Sequence, residues 1–192
     1  MTTSPLNALA ARLESVEALD GPGRTAGPAV RARIPAGAPK DALSGAWLGH
    51  AVHPILTDIP IGMWTSSILL DWIGGSGSHS ASDRLILSGV LAAGATAATG
   101  WSDWADAEQR DRAVRRCGLV HAAANATATA LMIGSLVARK RGARGKLLSL
   151  AGTAALGAGG WLGGHLSYTL GAGVTAGAPA AGMQATATTG LA

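Results

Sequence analysis

The sequence predicts an all-α protein in which four helices cross the membrane as a bundle, with an amphipathic helix in front of them. Three observations favour this class. Only 14% of the 192 residues are charged, against about 25% in an average soluble domain. Apolar residues make up 48% of the chain. The charges are clustered in short segments, so that long stretches between them carry one charge or none.

Four such stretches have the length of a membrane-spanning helix, which takes about 20 mostly apolar residues. We place them at residues 57–75, 85–103, 117–138 and 147–170. Between Ile59 and Gly75 of the first stretch, Asp71 is the only charge. A buried soluble domain is the alternative, but a soluble fold of this length does not bury four helices on every side. Together the stretches define a four-helix membrane domain over residues 46–172.

Small residues recur at four-residue spacing in two of these stretches. The fourth stretch contains Ala151, Ala155, Gly159, Gly163 and Ser167, and the second contains Ser88, Ala92, Thr96 and Gly100. In a membrane, small residues at this spacing allow helix backbones to approach closely. The ladders therefore predict a tightly packed bundle.

The two ends of the chain differ from the middle. Within residues 1–45, five apolar residues recur at helical spacing and predict an amphipathic helix on the membrane surface or on a partner: Leu6, Leu9, Leu13, Val16 and Leu19. Gly21-Pro22-Gly23 predicts the end of that helix and the start of an irregular Gly/Pro-rich linker. Residues 173–192 are rich in Gly, Ala and Thr and predict a flexible tail.

The distribution of basic residues predicts the orientation in the membrane. With four crossings, both termini and the second connector share one side, and nine of the 15 Lys and Arg residues lie there. The positive-inside rule therefore predicts cytoplasmic termini. The dense basic connector between the third and fourth stretches favours the opposite orientation.

Several function classes are excluded by what the sequence lacks. The formal net charge is only +4, and no basic stripe is interleaved with aromatic residues, so we expect no nucleic-acid partner. Cys117 is the single cysteine, which excludes a disulfide scaffold. The chain carries no phosphate loop, nucleophile elbow or dinucleotide fingerprint. An electron-transfer or anchor subunit is therefore favoured over a stand-alone enzyme.

Four of the five histidines are predicted to lie near one face of the membrane. His50 and His53 precede the first stretch, His121 lies about 6 Å inside the third, and His165 lies about 7 Å from the same face in the fourth. Ionisable groups inside a bilayer are costly and point to function. We therefore expect these imidazoles to form one site.

A b-type haem is the first interpretation of this site. His121 and His165, at matching depths on antiparallel helices, are the predicted axial ligands, with His50 and His53 as alternative or additional ones. Four further residues are predicted to assist: Arg115 and Arg116 by pairing with propionates, and Asn125 and Tyr168 by hydrogen bonding to the ligands.

Two alternatives remain open for the same residues. The four histidines can hold Zn, Cu or Fe without a porphyrin, with Cys117 or Asp58 as a further ligand. They can also form a cofactor-free polar cluster or a quinone pocket in a membrane anchor or assembly subunit.

Several segments resemble a bacterial membrane family known as domain of unknown function 2231. They are residues 49–54 (GHAVHP), 57–62 (TDIPIG), 99–104 (TGWSDW), 118–125 (GLVHAAAN) and 163–168 (GGHLSY). The resemblance covers roughly residues 41–172 and implies a four-helix domain of the bacterial cytoplasmic membrane. In that family the domain is often followed by a Rieske [2Fe–2S] domain. No Cys-His pair follows residue 172 here, so we expect no such cluster in this chain.

These observations lead to one functional hypothesis. The chain is predicted to be a membrane electron-transfer protein that binds haem b and links the quinone pool to a redox partner. The Rieske fusion in the similar family implies a redox context, and a separately encoded Rieske or other iron–sulfur protein is one candidate for this partner.

Overall fold

The computed structural model describes residues 4–139 and 145–173. Within them the chain is helical and contains no β-strand, which confirms the all-α prediction. The basic connector residues Lys140, Arg141 and Arg144, and the tail from residue 174 onwards, lie outside these ranges. The helices are α1 (Pro5–Glu14), α2 (Asp20–Arg33), α3 (Ala38–Ser44), α4 (His53–Ile73), α5 (His79–Ala107), α6 (Arg112–Arg139) and α7 (Gly145–Gly164). A π-helical turn, His165–Thr169, continues α7.

Each of the four predicted stretches overlaps one of the long helices, α4 to α7. α4 and α5 pack as one hairpin, and α6 and α7 pack as a second. α5 also contacts α6, and α7 contacts α4, so that α4 and α6 lie diagonally across the bundle. One buried cluster joins all four helices and consists of Trp64, Ile86, Ala128, Met132 and Leu156.

Two segments of the described chain are long and apolar enough to cross a membrane by length and composition alone. They are Ser76–Ala107, which contains α5, and Arg112–Arg139, which is α6. α4 and α7 do not meet the same criterion. The fold therefore establishes the packing of four helices, and it does not by itself establish four crossings.

Glycines allow the helices to approach closely, and one of them, Gly159, belongs to the predicted ladder of α7. A Cβ atom on Gly89 of α5 would lie 2.3 Å from Nε1 of Trp64, which donates a hydrogen bond to the Ile86 carbonyl at 3.2 Å. On α7, a Cβ on Gly159 would lie 2.7 Å from Nδ2 of Asn125. Each position needs a residue without a side chain, because the contacting group belongs to another helix.

The segment expected to be an irregular linker forms α2 instead, so that prediction is wrong for residues 20–33. Pro22 lies in the first turn of α2, where a helix does not use the backbone N–H. Gly23 faces α6, where an added Cβ atom would lie 2.5 Å from the Arg115 side chain. Gly27 faces the end of α5, where an added Cβ atom would lie 2.3 Å from the Glu108 carboxylate. Tertiary packing of a glycine face therefore overrides the local turn signal.

The three N-terminal helices cover one end of the bundle. α1 packs on α6 with Ala10 buried, while α2 and α3 pack on α5. Ion pairs attach this cap, and Arg116 forms the most extensive one, donating to both oxygens of Asp20 at 2.9 and 2.7 Å. Glu108 accepts from Arg31 at 2.9 Å and from Arg115 at 2.7 Å. The amphipathic helix therefore docks on the chain itself, while Leu6 and Leu9 remain exposed.

Candidate functional site

His53 begins α4, and its ring lies against α5. Its Nδ1 atom is 3.0 Å from the carbonyl oxygen of Thr96 and 3.3 Å from Oγ1 of Thr99. Because a carbonyl only accepts, Nδ1 carries the ring hydrogen and donates it. Gly100 provides the space for the ring, since a Cβ there would lie 2.7 Å from Cε1 of His53. The Nε2 atom of His53 has no hydrogen-bond partner in residues 4–139 or 145–173.

His121 is held in the same way between α6 and α7. Its Nδ1 donates to the carbonyl oxygen of Gly159 at 2.8 Å, which leaves the lone pair on Nε2. Asn125, one turn further along α6, donates to the His121 carbonyl at 2.9 Å and lies 3.3 Å from Nε2. A Cβ on Gly163 would lie 3.0 Å from Cε1 of the ring.

The two rings meet between the hairpins, although α4 and α6 are diagonal neighbours in the bundle. Their centroids are 6.4 Å apart and their planes are at 84°. Both side chains are half-buried. Each ring is fixed through Nδ1 by a backbone carbonyl, an arrangement typical of histidines whose Nε2 binds a metal. The described part of the chain contains no group of three or more His, Cys, Asp or Glu side chains arranged to hold an ion.

His165 occupies a different site from this imidazole pair. Its Nε2 lies 2.8 Å from Oε1 of Glu14, and its ring stacks on Trp161 with centroids 6.3 Å apart. The contact joins the end of α7, at the start of the π-helical turn, to α1 in the N-terminal cap. In the structure, His121 therefore contacts His53, and His165 contacts the carboxylate of Glu14.

The other predicted site residues lie outside the pair. His50 is exposed, and its Nδ1 lies 3.2 Å from the neighbouring Ala51 carbonyl. Tyr168 is 91% exposed. Arg115 binds Glu108 at the end of α5, and Arg116 binds Asp20 of the cap.

The two further ligands considered for a metal ion without a porphyrin are also separate from the pair. Cys117 is fully buried in the hydrophobic cluster that contains Trp104. Asp58 is exposed on α4.

Sequence reasoning missed the groups that position the rings. Two of them are backbone carbonyls, at Thr96 and Gly159, which side-chain patterns do not reveal. Glu14 was also missed, because it is far in sequence from His165. One signal for the His53 position was present on α5. Thr96 and Thr99 place two hydroxyl groups on one helical turn, and Gly100, which has no side chain, leaves space for a ring beside them.

The fold and the site define a class: an all-α protein with helices of membrane-spanning length and a pair of imidazoles held between two helical hairpins. The chain belongs to the family described as "Predicted membrane protein (DUF2231)", which matches residues 49–176. That range contains the imidazole pair and all four long helices, whereas the N-terminal cap precedes it. No curated protein and no solved structure matches the chain.

Proposed function

We propose that this protein is a haem b protein of the bacterial cytoplasmic membrane in which His53 and His121 are the axial ligands. It passes electrons between the quinone pool and a redox partner, such as an iron–sulfur protein. The observation that carries the proposal is the edge contact between the two rings across the bundle, with each Nδ1 hydrogen bonded to a backbone carbonyl.

The separation of the rings fits ligation of one metal by both imidazoles. Metal–imidazole bonds are about 2.0–2.1 Å long, so the centres of two rings that bound the same ion would lie about 6 Å apart. The observed separation is 6.4 Å. His165 fits this role less well, because its Nε2 is paired with the Glu14 carboxylate at 2.8 Å, whereas Nε2 of His121 has only the 3.3 Å contact with the Asn125 amide.

The number of ligands favours haem over a bare ion. A structural zinc takes four protein ligands and a catalytic zinc three, whereas haem iron receives four nitrogens from its own porphyrin and needs only axial ligands. In residues 4–139 and 145–173, no third metal-binding side chain lies with the two imidazoles, as the second case requires. Gly100 and Gly163 have no side chains, and this gives the rings of His53 and His121 room to lie against the backbones of α5 and α7.

Haem bound in this way supplies one-electron transfer. The protein supplies the orientation and basicity of its ligands. Hydrogen bonds from Nδ1 to the Thr96 and Gly159 carbonyls fix each ring and leave Nε2 as the nitrogen that would bind the iron, and they would tune its reduction potential. The amide of Asn125 lies beside His121 and adds a third polar contact near the site.

The same proposal includes four membrane crossings with cytoplasmic termini. α4 and α7 pack alongside α5 and α6, and large apolar side chains are exposed on all four helices: Leu69, Leu91, Val137 and Leu150. Asp71 in α4 is neutralised by Arg139, as expected for a charge within a membrane. Reporter fusions at residues 76 and 142 test this, because both should report the side opposite the N-terminus.

A visible spectrum of the detergent-purified full chain, expressed with haem available, tests haem binding. The air-oxidised protein should show a Soret band, and dithionite should produce sharp α and β bands. His53→Gly and His121→Gly should lose these bands, and added imidazole should restore them. His50→Ala and His165→Ala are matched controls that should keep them.

Three results would overturn the assignment. One is full haem retention in both glycine variants. Another is a featureless spectrum from folded protein, and a third is stoichiometric metal without porphyrin. The last would indicate a bare metal site, whereas absence of both metal and haem would leave an anchor subunit.

A further inference from the structure

An open apolar groove lies on the outer surface of the bundle, where α4 ends beside α7. It is far from the imidazole pair, which lies at the opposite end of α4. Its walls are formed by apolar side chains only: Ile68, Leu69, Trp72, Ile73 and Leu150. Ile73 is 80% exposed and Trp72 is 57% exposed. This groove is therefore a large apolar surface that the chain itself leaves uncovered.

Lys146 provides a positive charge at the edge of the groove, one helical turn before Leu150. Its Nζ donates to the Asp71 carbonyl at 2.8 Å and lies 3.4 Å from Nε2 of His79. In the parts of the chain that the structure describes, Lys146 has no carboxylate in ion-pair contact.

The nearby carboxylates are engaged by another cation. Arg139 binds Asp71 through both of its terminal nitrogens and also lies 3.2 Å from Asp83. The Lys146 ammonium therefore remains available to an external anion.

We infer that this groove binds an anionic phospholipid, with an acyl chain along the apolar wall and the headgroup phosphate at Lys146. The family is one of membrane proteins, and the inference rests on the crossings proposed above for α4 and α7, which make lipid the solvent of this surface. Tryptophan near a helix end is typical of the membrane interface, where headgroups lie. Basic side chains at that depth recognise anionic headgroups. This inference does not depend on haem binding.

Native mass spectrometry of the delipidated full chain tests the inference with phosphatidylglycerol and phosphatidylcholine of identical acyl chains. Phosphatidylglycerol should bind about fivefold more tightly, the preference expected from one lysine beside a headgroup of net negative charge. Phosphatidylcholine carries the same phosphate, but its choline cation offsets that charge. Lys146→Gln should abolish that preference, because it removes the charge and keeps a hydrogen-bond donor. Leu150→Trp should weaken both lipids, because it fills the groove.

Matched controls separate this site from general surface effects. Arg84→Gln removes an exposed cation at the same end of the bundle and should leave the preference unchanged. Leu91→Trp adds bulk to an exposed position of α5 and should leave both affinities unchanged. Circular dichroism of each variant verifies that it is folded.

Three outcomes contradict the inference. Equal binding of the two lipids, or a preference that survives in Lys146→Gln, removes the headgroup site. Equally tight binding of glycerophosphoglycerol without acyl chains indicates a site for soluble anions. A dimer that Leu150→Trp dissociates, with lipid binding unchanged, indicates that a second copy of the chain covers the groove.

Discussion

The ring of His53 lies on the backbone of α5 at Gly100, where a Cβ atom would come within 2.7 Å of Cε1 and 3.0 Å of Nδ1. The same ring donates to the Thr96 carbonyl one turn earlier on α5. The position of His53 therefore depends on two residues of a neighbouring helix, one that attracts the ring and one that leaves room for it.

Gly100→Ala is expected to displace His53 and weaken the candidate site, because the ring lies between the new methyl group and its hydrogen bond to Thr96. Gly94→Ala, on the same helix with open space around it, is the matched control. It should stabilise α5 by up to about 1 kcal/mol through helix propensity. Thermal unfolding and the haem spectrum measure both effects. Identical behaviour of the two variants would contradict the close contact.

The Arg139–Asp71 pair is expected to be a main source of stability at the other end of the bundle. The Asp71 side chain is fully buried, so Arg139→Gln leaves a carboxylate without its cation. The free energy of unfolding should fall by about 3–5 kcal/mol, measured by denaturant titration in detergent. The double variant Arg139→Gln/Asp71→Asn should recover part of the loss. Arg84→Gln, at an exposed cation, should have little effect.

Gly27→Ala should release the N-terminal cap. A Cβ there would lie 2.3 Å from Oε1 of Glu108, which accepts from both Arg31 and Arg115. Limited trypsin digestion should then cleave within α2 faster than in the unsubstituted protein. Gly21→Ala, with nothing within 4 Å of its Cβ, should not change the rate. Equal protection of both variants would show that α2 does not dock this closely.

Docking of the cap should weaken in acid. The Arg116 guanidinium, hydrogen-bonded to Asp20, holds the pKa of that carboxyl below its usual range. Its stabilisation is therefore fully present above the unfolded pKa of about 3.9 and is lost as the pH falls through the lower folded value. The difference in unfolding midpoint between the unsubstituted protein and Asp20→Asn should be largest near neutral pH and shrink in acid. A difference that is constant with pH would exclude this role.

Local patterns predicted the helices better than they predicted contacts. The four long helices follow from clustered charge and apolar runs, which are properties of neighbouring residues. α2 was missed because Gly21-Pro22-Gly23 is a turn signal in isolation. α2 is stabilised by packing against α5 and α6. This stabilisation comes from residues far away in the chain, which a local pattern does not include.

The histidines show the same division. The sequence predicts that His50, His53, His121 and His165 lie toward one end of the bundle, because helical rise sets their depth. It does not predict which rings meet, because that depends on the rotation and neighbours of each helix.

The sequence by itself determined the all-helical class, the four apolar helices and the glycine ladders, since these depend on composition and spacing along the chain. Only the tertiary structure decided that His121 faces His53 and that His165 binds Glu14. It also decided that the N-terminal segment caps the bundle. The physical reason is that each of these contacts joins residues distant in sequence, whose geometry is set by how closely the helix backbones approach one another.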